Sequence, residues 1–347
     1  MKFASDNAAG IAPEILAAIG EANSGYALGY GNDDYSKAVT RRFSELFERE
    51  VAVFLVATGT AANALAIAHL APPWGAVLCH DGSHIANDEC GAPEFFGGGL
   101  KLIELPGDAG KIDIKTVERA LSRERGEPHG VTPAVLSLTQ STEAGTVYAI
   151  DEVRALGDLA HARGLSVHMD GARFGNAVAN LGVSPAEASW KAGVDVLSFG
   201  ATKGGALAAE AVVFFDPARA AGMPSRRKRG GHLFSKHRFL AAQFDAYLHD
   251  DLWLRLARHA NATAERLAQG LAEAGLTPVW PVEANEVFVL LPRDADARLR
   301  AAGATYYVRN PPDDLPGSAG DRLFVRLVTS FATTEDDVRR FIHMARS

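Results

Sequence analysis

The feature that most constrains this chain is an alternation of short apolar runs and amphipathic stretches from residue 37 to residue 215. Apolar runs of strand length separated by helical patterns suit a largely parallel sheet with helices packed on its faces. "KAVTRRFSELFERE" (37–50) puts Val39, Phe43, Leu46 and Phe47 on one helical face. "VAVFLVA" (51–57) then reads as a strand and "AANALAIAHLA" (61–71) as a helix. Further strands are expected at "AVLCH" (76–80), "LKLIEL" (100–105), "AVLSLTQ" (134–140), "LSVHMD" (165–170), "VDVLSFG" (194–200) and "EAVVFF" (210–215). An amphipathic helix is expected at "IDEVRALGDLAHARG" (150–164). The pattern changes near residue 245. A long helix over about 250–274 precedes strand candidates "EVFVLLP" (286–292), "ATYYVRN" (304–310) and "RLFVRLV" (322–328). A closing helix follows, with Thr333 as its expected N-cap and Asp336 three residues on. The expected division is a large α/β domain over residues 1–245, with an N-terminal arm to about residue 36, and a small α+β domain over 246–347. "RNPPDDLPGSAGD" (309–321) reads as a loop.

Composition narrows the function classes. The chain has 347 residues and a formal charge of −7, with 47% apolar and 22% charged residues, as in an ordinary globular protein. Mild acidity argues against nucleic acid as a partner, which needs a basic face. No apolar run approaches the roughly 18 residues that cross a bilayer. "MKFASDNAAG" lacks the apolar core of a secretory leader. The two cysteines, Cys79 and Cys90, lack metal-ligand spacing and are too few for a disulfide framework. A cytoplasmic protein is expected, with no metal, no membrane and no nucleic acid.

The chemistry begins at "SFGATKGG" (198–205), where Lys203 stands just beyond a strand. Lysine is costly to bury unless it loses its charge or forms a bond. One reading is a surface lysine in a turn; the other is an amine that forms a Schiff base with a carbonyl cofactor. Pyridoxal 5′-phosphate (PLP) is such a cofactor. It needs a phosphate cup, an acid for its ring nitrogen and a group on its ring face. "ATGTAAN" (57–63) offers the backbone N–H groups of Gly59 and Thr60 and the Thr60 hydroxyl, though it also reads as a plain helix cap. Asp170 ends a strand in "LSVHMDGARFGNA" (165–177), where α/β sheets hold their ligands, though Asp-Gly is also an ordinary turn. His84 lies in "DGSHIANDECGAPEF" (81–95), and an imidazole can both stack and move a proton. If that segment is helical, Asp88 shares a face with His84 and orients it; the pair also reads as solvent-exposed. Gly204 and Gly205 read as space for the cofactor. The order of these features, and their placement at strand ends, favours one site. "RRKR" (226–229) reads as a solvated face.

Seven stretches extend this pattern over nearly the whole chain: "FASDN" (3–7), "TGTAAN" (58–63), "HIANDECGAPEFF" (84–96), "TQSTEAGTVY" (139–148), "HMDGARFGNA" (168–177), "WKAGVDVLSFGATKGG" (190–205) and "PVEANEVFV" (281–289). On these the chain resembles the low-specificity L-threonine aldolases, in the bacterial, pseudomonad-type branch that includes phenylserine aldolases. Those enzymes have the PLP-dependent, aspartate-aminotransferase-like fold of type I, with a mainly parallel sheet in the large domain. The resemblance implies cleavage of L-threonine, L-allo-threonine and related L-β-hydroxy-α-amino acids to glycine and an aldehyde, through an external aldimine and a quinonoid. Another PLP enzyme of the same fold, a β-eliminating lyase or an aminotransferase, is the alternative; a PLP-binding sensor without turnover is a further one. The resemblance assigns the Schiff base to Lys203, the ring nitrogen to Asp170, the phosphate to Gly59 and Thr60, and the ring face to His84. Arg173 would lie near the cofactor hydroxyl and the substrate carboxylate, which Ser5 and Arg326 would also take. Lys228 would lie near the cofactor mouth, and Lys236 would reach a neighbouring subunit's phosphate. Tyr30 would cross into a partner's site, which implies a homodimer or a homotetramer. The chain departs from another branch, which carries "THN" where this one has "STEAG" with Thr142 and Glu143. A second active-site histidine is therefore absent, and the proton work falls on His84, with Asp88 or a water.

Overall fold

A computed structural model describes residues 1–123, 128–312, 315–317 and 320–346. Seven strands form the larger sheet: β1 (Ala52–Val56), β2 (Gly75–His80), β3 (Lys101–Leu105), β4 (Thr132–Thr139), β5 (Ser166–Gly171), β6 (Val196–Gly200) and β7 (Glu210–Phe214). Their order is β1-β7-β6-β5-β4-β2-β3. All pairs from β3 to β6 are parallel, and β7 is antiparallel to both its neighbours. β1 therefore runs in the same sense as β6. The carboxyl ends of β1 to β6 all open on one edge of the sheet, and β7 starts there, with Glu210 opposite Val56 and Gly200. Sheets of this kind are covered on both faces, which explains why β6 and β7 are wholly buried and β5, polar residues included, nearly so.

The helical spacing in residues 37–50 becomes part of the helix Asp34–Leu46, which buries Val39 and Phe43. Phe43 meets Phe199 of β6 edge-on at 5.4 Å, and Phe199 lies 5.6 Å from Trp253. Phe174 stacks on Trp253 at 6.4 Å. These rings fill the face of the sheet beneath the strand ends.

The second sheet has order β8-β10-β9, with β8 (Glu286–Pro292), β9 (Tyr307–Val308) and β10 (Arg322–Val328) all antiparallel. Strand alternation sorts its residues between two faces. Val287, Val289, Leu291, Val325 and Leu327 share a core with Leu267 and Leu271 of the helix Leu252–Glu273 and with Phe341 of the helix Glu335–Arg346. The other face carries Glu286, Phe288, Phe324 and Arg326. The first residues of the chain join this sheet: Phe3 packs edge-on against Phe341 at 5.1 Å, and its carbonyl accepts from Val328 N at 2.9 Å.

Two local expectations change. "ATYYVRN" narrows to the two residues of β9. The closing helix is capped one residue later than expected: Thr334 Oγ1 accepts from Asp337 N at 3.1 Å, and its hydroxyl donates to the Asp337 carboxylate at 2.8 Å. Thr333 is used elsewhere, since its Oγ1 accepts from Ser330 N at 2.9 Å and closes the turn before the helix. In the loop expected at 309–321, residues 313–314 and 318–319 lie outside the described residues.

Phe199 joins the ring cluster to the strand that leads to Lys203. Phe199→Ala is expected to lower the unfolding free energy by about 3–5 kcal/mol, read from the denaturant midpoint at unchanged slope. A loss below about 1 kcal/mol would contradict this packing.

Candidate active site

In open α/β sheets, ligands sit outside the carboxyl ends of the strands. Here the chain leaves that edge after each of β1 to β6. After β1 comes the helix Gly59–Leu70, whose N-cap, Thr58, accepts from Ala61 N at 3.1 Å. Gly59 and Thr60 thus occupy the first turn, where backbone N–H groups lack intrahelical partners. A Cβ built on Gly59 would meet nothing within 4 Å, so the space beside it is open.

After β2 comes the short helix His84–Asn87. His84 Nδ1 lies 2.9 Å from Glu89 Oε1. Glu89 Oε1 also accepts from Asn63 Nδ2 at 2.8 Å, and the same nitrogen donates to Asp170 Oδ2 on β5 at 2.9 Å. The partner of His84 is therefore Glu89 and not Asp88, as expected from four-residue spacing. The helix stops at Asn87, and Asp88 is its C-cap (φ −122°, ψ 12°), so its backbone N–H donates to His84 O at 2.8 Å while the ring of His84 bonds Glu89. Asp88 lines the neighbouring cavity instead. The bond to Glu89 pushes the His84 pKa up against the opposing effect of burial, with Glu143 and Asp170 adding to the rise. Burial pushes the Glu89 carboxyl up in turn, while His84 and Asn63 pull it down. Asp170 Oδ1 accepts from Ala172 N at 3.0 Å. Two residues earlier on β5, buried His168 lies 2.9 Å from Ser137 Oγ and 3.0 Å from Ser198 Oγ, so it braces three central strands.

The excursion from β6 to β7 carries Lys203. Ala201 N donates to Ala209 O and Ala209 N donates to Thr202 Oγ1, both at 3.1 Å, which closes the loop tightly. Lys203 lies within electrostatic reach of Asp6 and of Glu210. Burial pushes the Glu210 carboxyl up to about 7, with Thr202 and Lys203 opposing. The two glycines after the lysine do not leave vacant space. A Cβ on Gly204 would stand 1.9 Å from Tyr247 Oη, and one on Gly205 would press on Ala12, Leu256 and Phe331 at 3.2–3.3 Å. They admit packing neighbours, and Gly205 also takes a positive φ of 122°.

The basic groups converge on carboxylates. Arg173 donates through Nε to Asp6 Oδ2 at 2.8 Å and through Nη2 to Asp6 Oδ1 at 3.2 Å, and its Nη1 lies 3.3 Å from Glu286 Oε2. Arg173, expected near the substrate carboxylate, is thus already engaged by carboxylates of the chain. Burial alone would raise the Asp6 pKa; Arg173 and Lys203 reverse this and hold it below the usual range. Glu286 is 1% exposed, and burial pushes its carboxyl up against the pull of Arg173 and Arg326. Arg326 Nη1 lies 3.5 Å from Glu286 Oε1. Arg326 also lines a cavity of about 930 Å³, together with Asp88, Glu143, Trp280 and Phe324. Ser5 Oγ caps the turn at Asn7 N (3.1 Å) and donates to Asp6 Oδ1 at 3.5 Å, beside Arg173. Tyr30 and Lys228 meet each other, with the ammonium 4.7 Å from the ring centroid, and neither lines that cavity. Lys236 starts the turn into the helix Arg238–Leu248.

Five polar residues that sequence reasoning did not single out belong to this cluster: Asp6, Asn63, Glu89, His168 and Glu286. Asn63 had a signal, as a polar residue amid alanine and leucine. The donor set fits PLP. A helix terminus with open space can take a phosphate, Asp170 can hold a protonated pyridine nitrogen, and Lys203 supplies the amine. The orphaned, buried oxygens Asn63 Oδ1 and Glu89 Oε2 mark a polar environment beside Asp170 that the protein alone does not satisfy.

Comparisons with known proteins follow the same line. The family model for the beta-eliminating lyases matches residues 2–293. A protein of Pseudomonas aeruginosa named low specificity L-threonine aldolase is 47% identical over 307 residues, 88% of each chain. One of the same name from another Pseudomonas is 42% identical over 97% of this chain and 95% of its own. A structure of Leishmania major threonine aldolase superposes with a TM-score of 0.92 at 30% identity, over 99% of this chain and 98% of that one. Serine palmitoyltransferase of Sphingomonas wittichii shares the fold at a TM-score of 0.73 and 17% identity, over 100% of this chain and 86% of that one.

Burial depresses the pKa of His168 to about 4, with Asp170 only partly opposing. Above pH 6.5 the ring is neutral in both states and costs nothing. As pH falls from 6.5 towards 4, the unfolded chain takes up a proton that the folded chain refuses, and stability falls by about 3 kcal/mol. Burial depresses His237 to about 4 as well, so unfolding free energies across pH 4–7 are expected to fall as pH falls in both proteins, with a slope smaller by one proton in His168→Gln. Equal slopes for both proteins would contradict a buried, neutral His168.

Proposed function

The chain belongs to the beta-eliminating lyase family, and on that premise we propose which of its residues carry out the reaction. It is a PLP-dependent carbon–carbon lyase of fold type I. It cleaves L-threonine, L-allo-threonine and related L-β-hydroxy-α-amino acids such as phenylserine to glycine and an aldehyde. The observation that carries the residue assignment is the convergence on one sheet edge of Lys203, of Asp170 and of the Glu89-held His84.

Bound PLP supplies a carbonyl that condenses with amines and a ring that accepts the electron pair released at Cα. Lys203 would hold it covalently. Gly59 and Thr60 would receive its phosphate at the helix N-terminus, and Asp170 would keep the ring nitrogen protonated. His84 would lie against the ring. Arg326 takes the substrate carboxylate, because a guanidinium grips a carboxylate through two charge-assisted bonds. Ser5 adds a hydroxyl beside it, and Arg173 contributes positive charge from behind, held by Asp6 and Glu286. With the carboxylate fixed, the Cα–Cβ bond is oriented for cleavage, which is a positioning effect. His84 removes the β-hydroxyl proton as that bond breaks. The aldehyde leaves through the cavity lined by Asp88, Glu143 and Trp280, and protonation at Cα yields glycine.

We also propose self-association as a homodimer or homotetramer. Tyr26, Leu28 and Tyr30 stand exposed in a row near the N-terminus, and burying such groups against a second copy would be favourable. Tyr30, Lys228 and Lys236 would then face a neighbouring site. Cys79 and Cys90 are both free thiols, which supports a reducing cytoplasm. Among the described residues, no helix is long and apolar enough to cross a membrane.

Borohydride reduction of the PLP-loaded protein is expected to fix the cofactor on the peptide that carries Lys203, and Lys203→Ala to abolish the label; a label elsewhere would overturn the assignment. Arg326→Lys is expected to raise KM for L-threonine by roughly 10–100-fold, the worth of a charge-assisted bond. An unchanged KM would remove Arg326 from the carboxylate site.

A further inference from the structure

We infer that Glu89 and Asn63 are positioning residues: Glu89 holds His84 in the tautomer whose Nε2 is free to take a proton, and the Asn63 amide ties that pair to Asp170. The inference deepens the proposed function and rests on its assignment of the β-hydroxyl proton to His84.

The argument starts from donors and acceptors. An ionised carboxylate only accepts, so the nitrogen 2.9 Å from Glu89 Oε1, which is Nδ1, must carry the hydrogen. In neutral His84 the lone pair is then on Nε2. The carboxylate also favours the imidazolium formed when Nε2 takes a proton, as carboxylates do behind metal-bound histidines. The other charged groups facing His84 are Glu143, after β4, and Asp170, on β5, and both act in the same direction. Asn63 comes from the helix after β1. Its amide nitrogen has two hydrogens and meets two carboxylates, Glu89 at 2.8 Å and Asp170 at 2.9 Å. Glu89 and Asp170 repel each other electrostatically. A neutral double donor between them lets both stay ionised at close range. Asn63 and Glu89 are buried, and Asn63 Oδ1 and Glu89 Oε2 have no partner among the described residues. Within the chain, the charge on Glu89 is answered by His84 and Asn63. The group assigned to the substrate proton and the group assigned to the ring nitrogen are joined through three hydrogen bonds.

The test uses the PLP-loaded enzyme with ¹⁵N-labelled histidine. NMR of the wild type reads the His84 tautomer directly and needs no variant; a proton on Nδ1 in the neutral form is expected, and one on Nε2 would overturn the inference. Glu89→Gln removes the charge and keeps an acceptor. The His84 titration midpoint is expected to fall by about one pH unit, and the acid limb of the kcat/KM profile to move by the same amount. KM for L-threonine should stay within about twofold. Asn63→Ala is expected to move the same titration and also the pH dependence of the cofactor's absorbance. Glu89→Asp keeps the charge and is expected to leave the titration near the wild-type position while lowering kcat. An unmoved titration in a folded Glu89→Gln variant would overturn the inference. A titration that moves while the acid limb stays fixed would also overturn it, because His84 would not be the proton acceptor. Absence of aldehyde release from the wild type would instead refute the proposed function, and the tautomer reading would still stand or fall on its own.

Discussion

The site depends on one buried guanidinium. Arg173 follows β5, and it grips Asp6 from the N-terminal segment and Glu286 from the head of β8. Three parts of the chain, distant in sequence, are thereby held against one charge. Burying such a group is costly, and its partners offset the cost only while all are present; removing one partner of a buried pair ordinarily costs about 3–5 kcal/mol. Asn285 reinforces the arrangement, since its Nδ2 donates to Asp6 at 3.1 Å and to Thr329 O at 2.7 Å. The consequence is positional. The face of the small sheet that carries Arg326 and Phe324 turns towards the open edge of the large sheet, and a cavity forms between them.

A second constraint is the direction of the strands. Because only β7 reverses, every excursion that carries chemistry leaves from the same edge. Desolvation then decides the protonation behaviour there. It pushes up Glu89, Glu210 and Glu286 and depresses His168 to about 4, while specific partners reverse it at Asp6 and outweigh it at His84. Acids and bases with displaced affinities, gathered on one rim, are what proton-transfer chemistry requires.

Much of this was legible in the sequence. The strands β1 to β8 and β10 fall within or beside the apolar runs, because each has at least one face packed in a core, and in β6 and β7 both faces are buried. Lys203, Asp170, His84 and Gly59 stand out in the sequence because each lies at or beyond the end of a strand, and a parallel sheet brings strand ends together. The pairing of charges was not. Asp88 has the helical spacing to meet His84, but the helix ends at Asn87, and a one-residue change in where a helix stops decides which carboxylate points inward. Asp6 and Glu286 reach Arg173 only through tertiary packing, which spacing does not encode. The glycines after Lys203 carried a real signal, a need for space, but the space serves Tyr247 and the neighbours of Gly205. The capping threonine was misplaced by one residue because two adjacent threonines offered the same hydroxyl.

The central claim is that a PLP enzyme built on Lys203 and Asp170 breaks the Cα–Cβ bond of β-hydroxy amino acids. The most direct measurement is an absorption spectrum of the PLP-loaded protein mixed in turn with L-threonine, L-allo-threonine and L-phenylserine, with aldehyde release followed in the same cuvette. The account predicts that the cofactor band shifts and that aldehyde and glycine appear together, with no 2-oxo acid required. A band that shifts without aldehyde would keep the cofactor site and contradict the reaction.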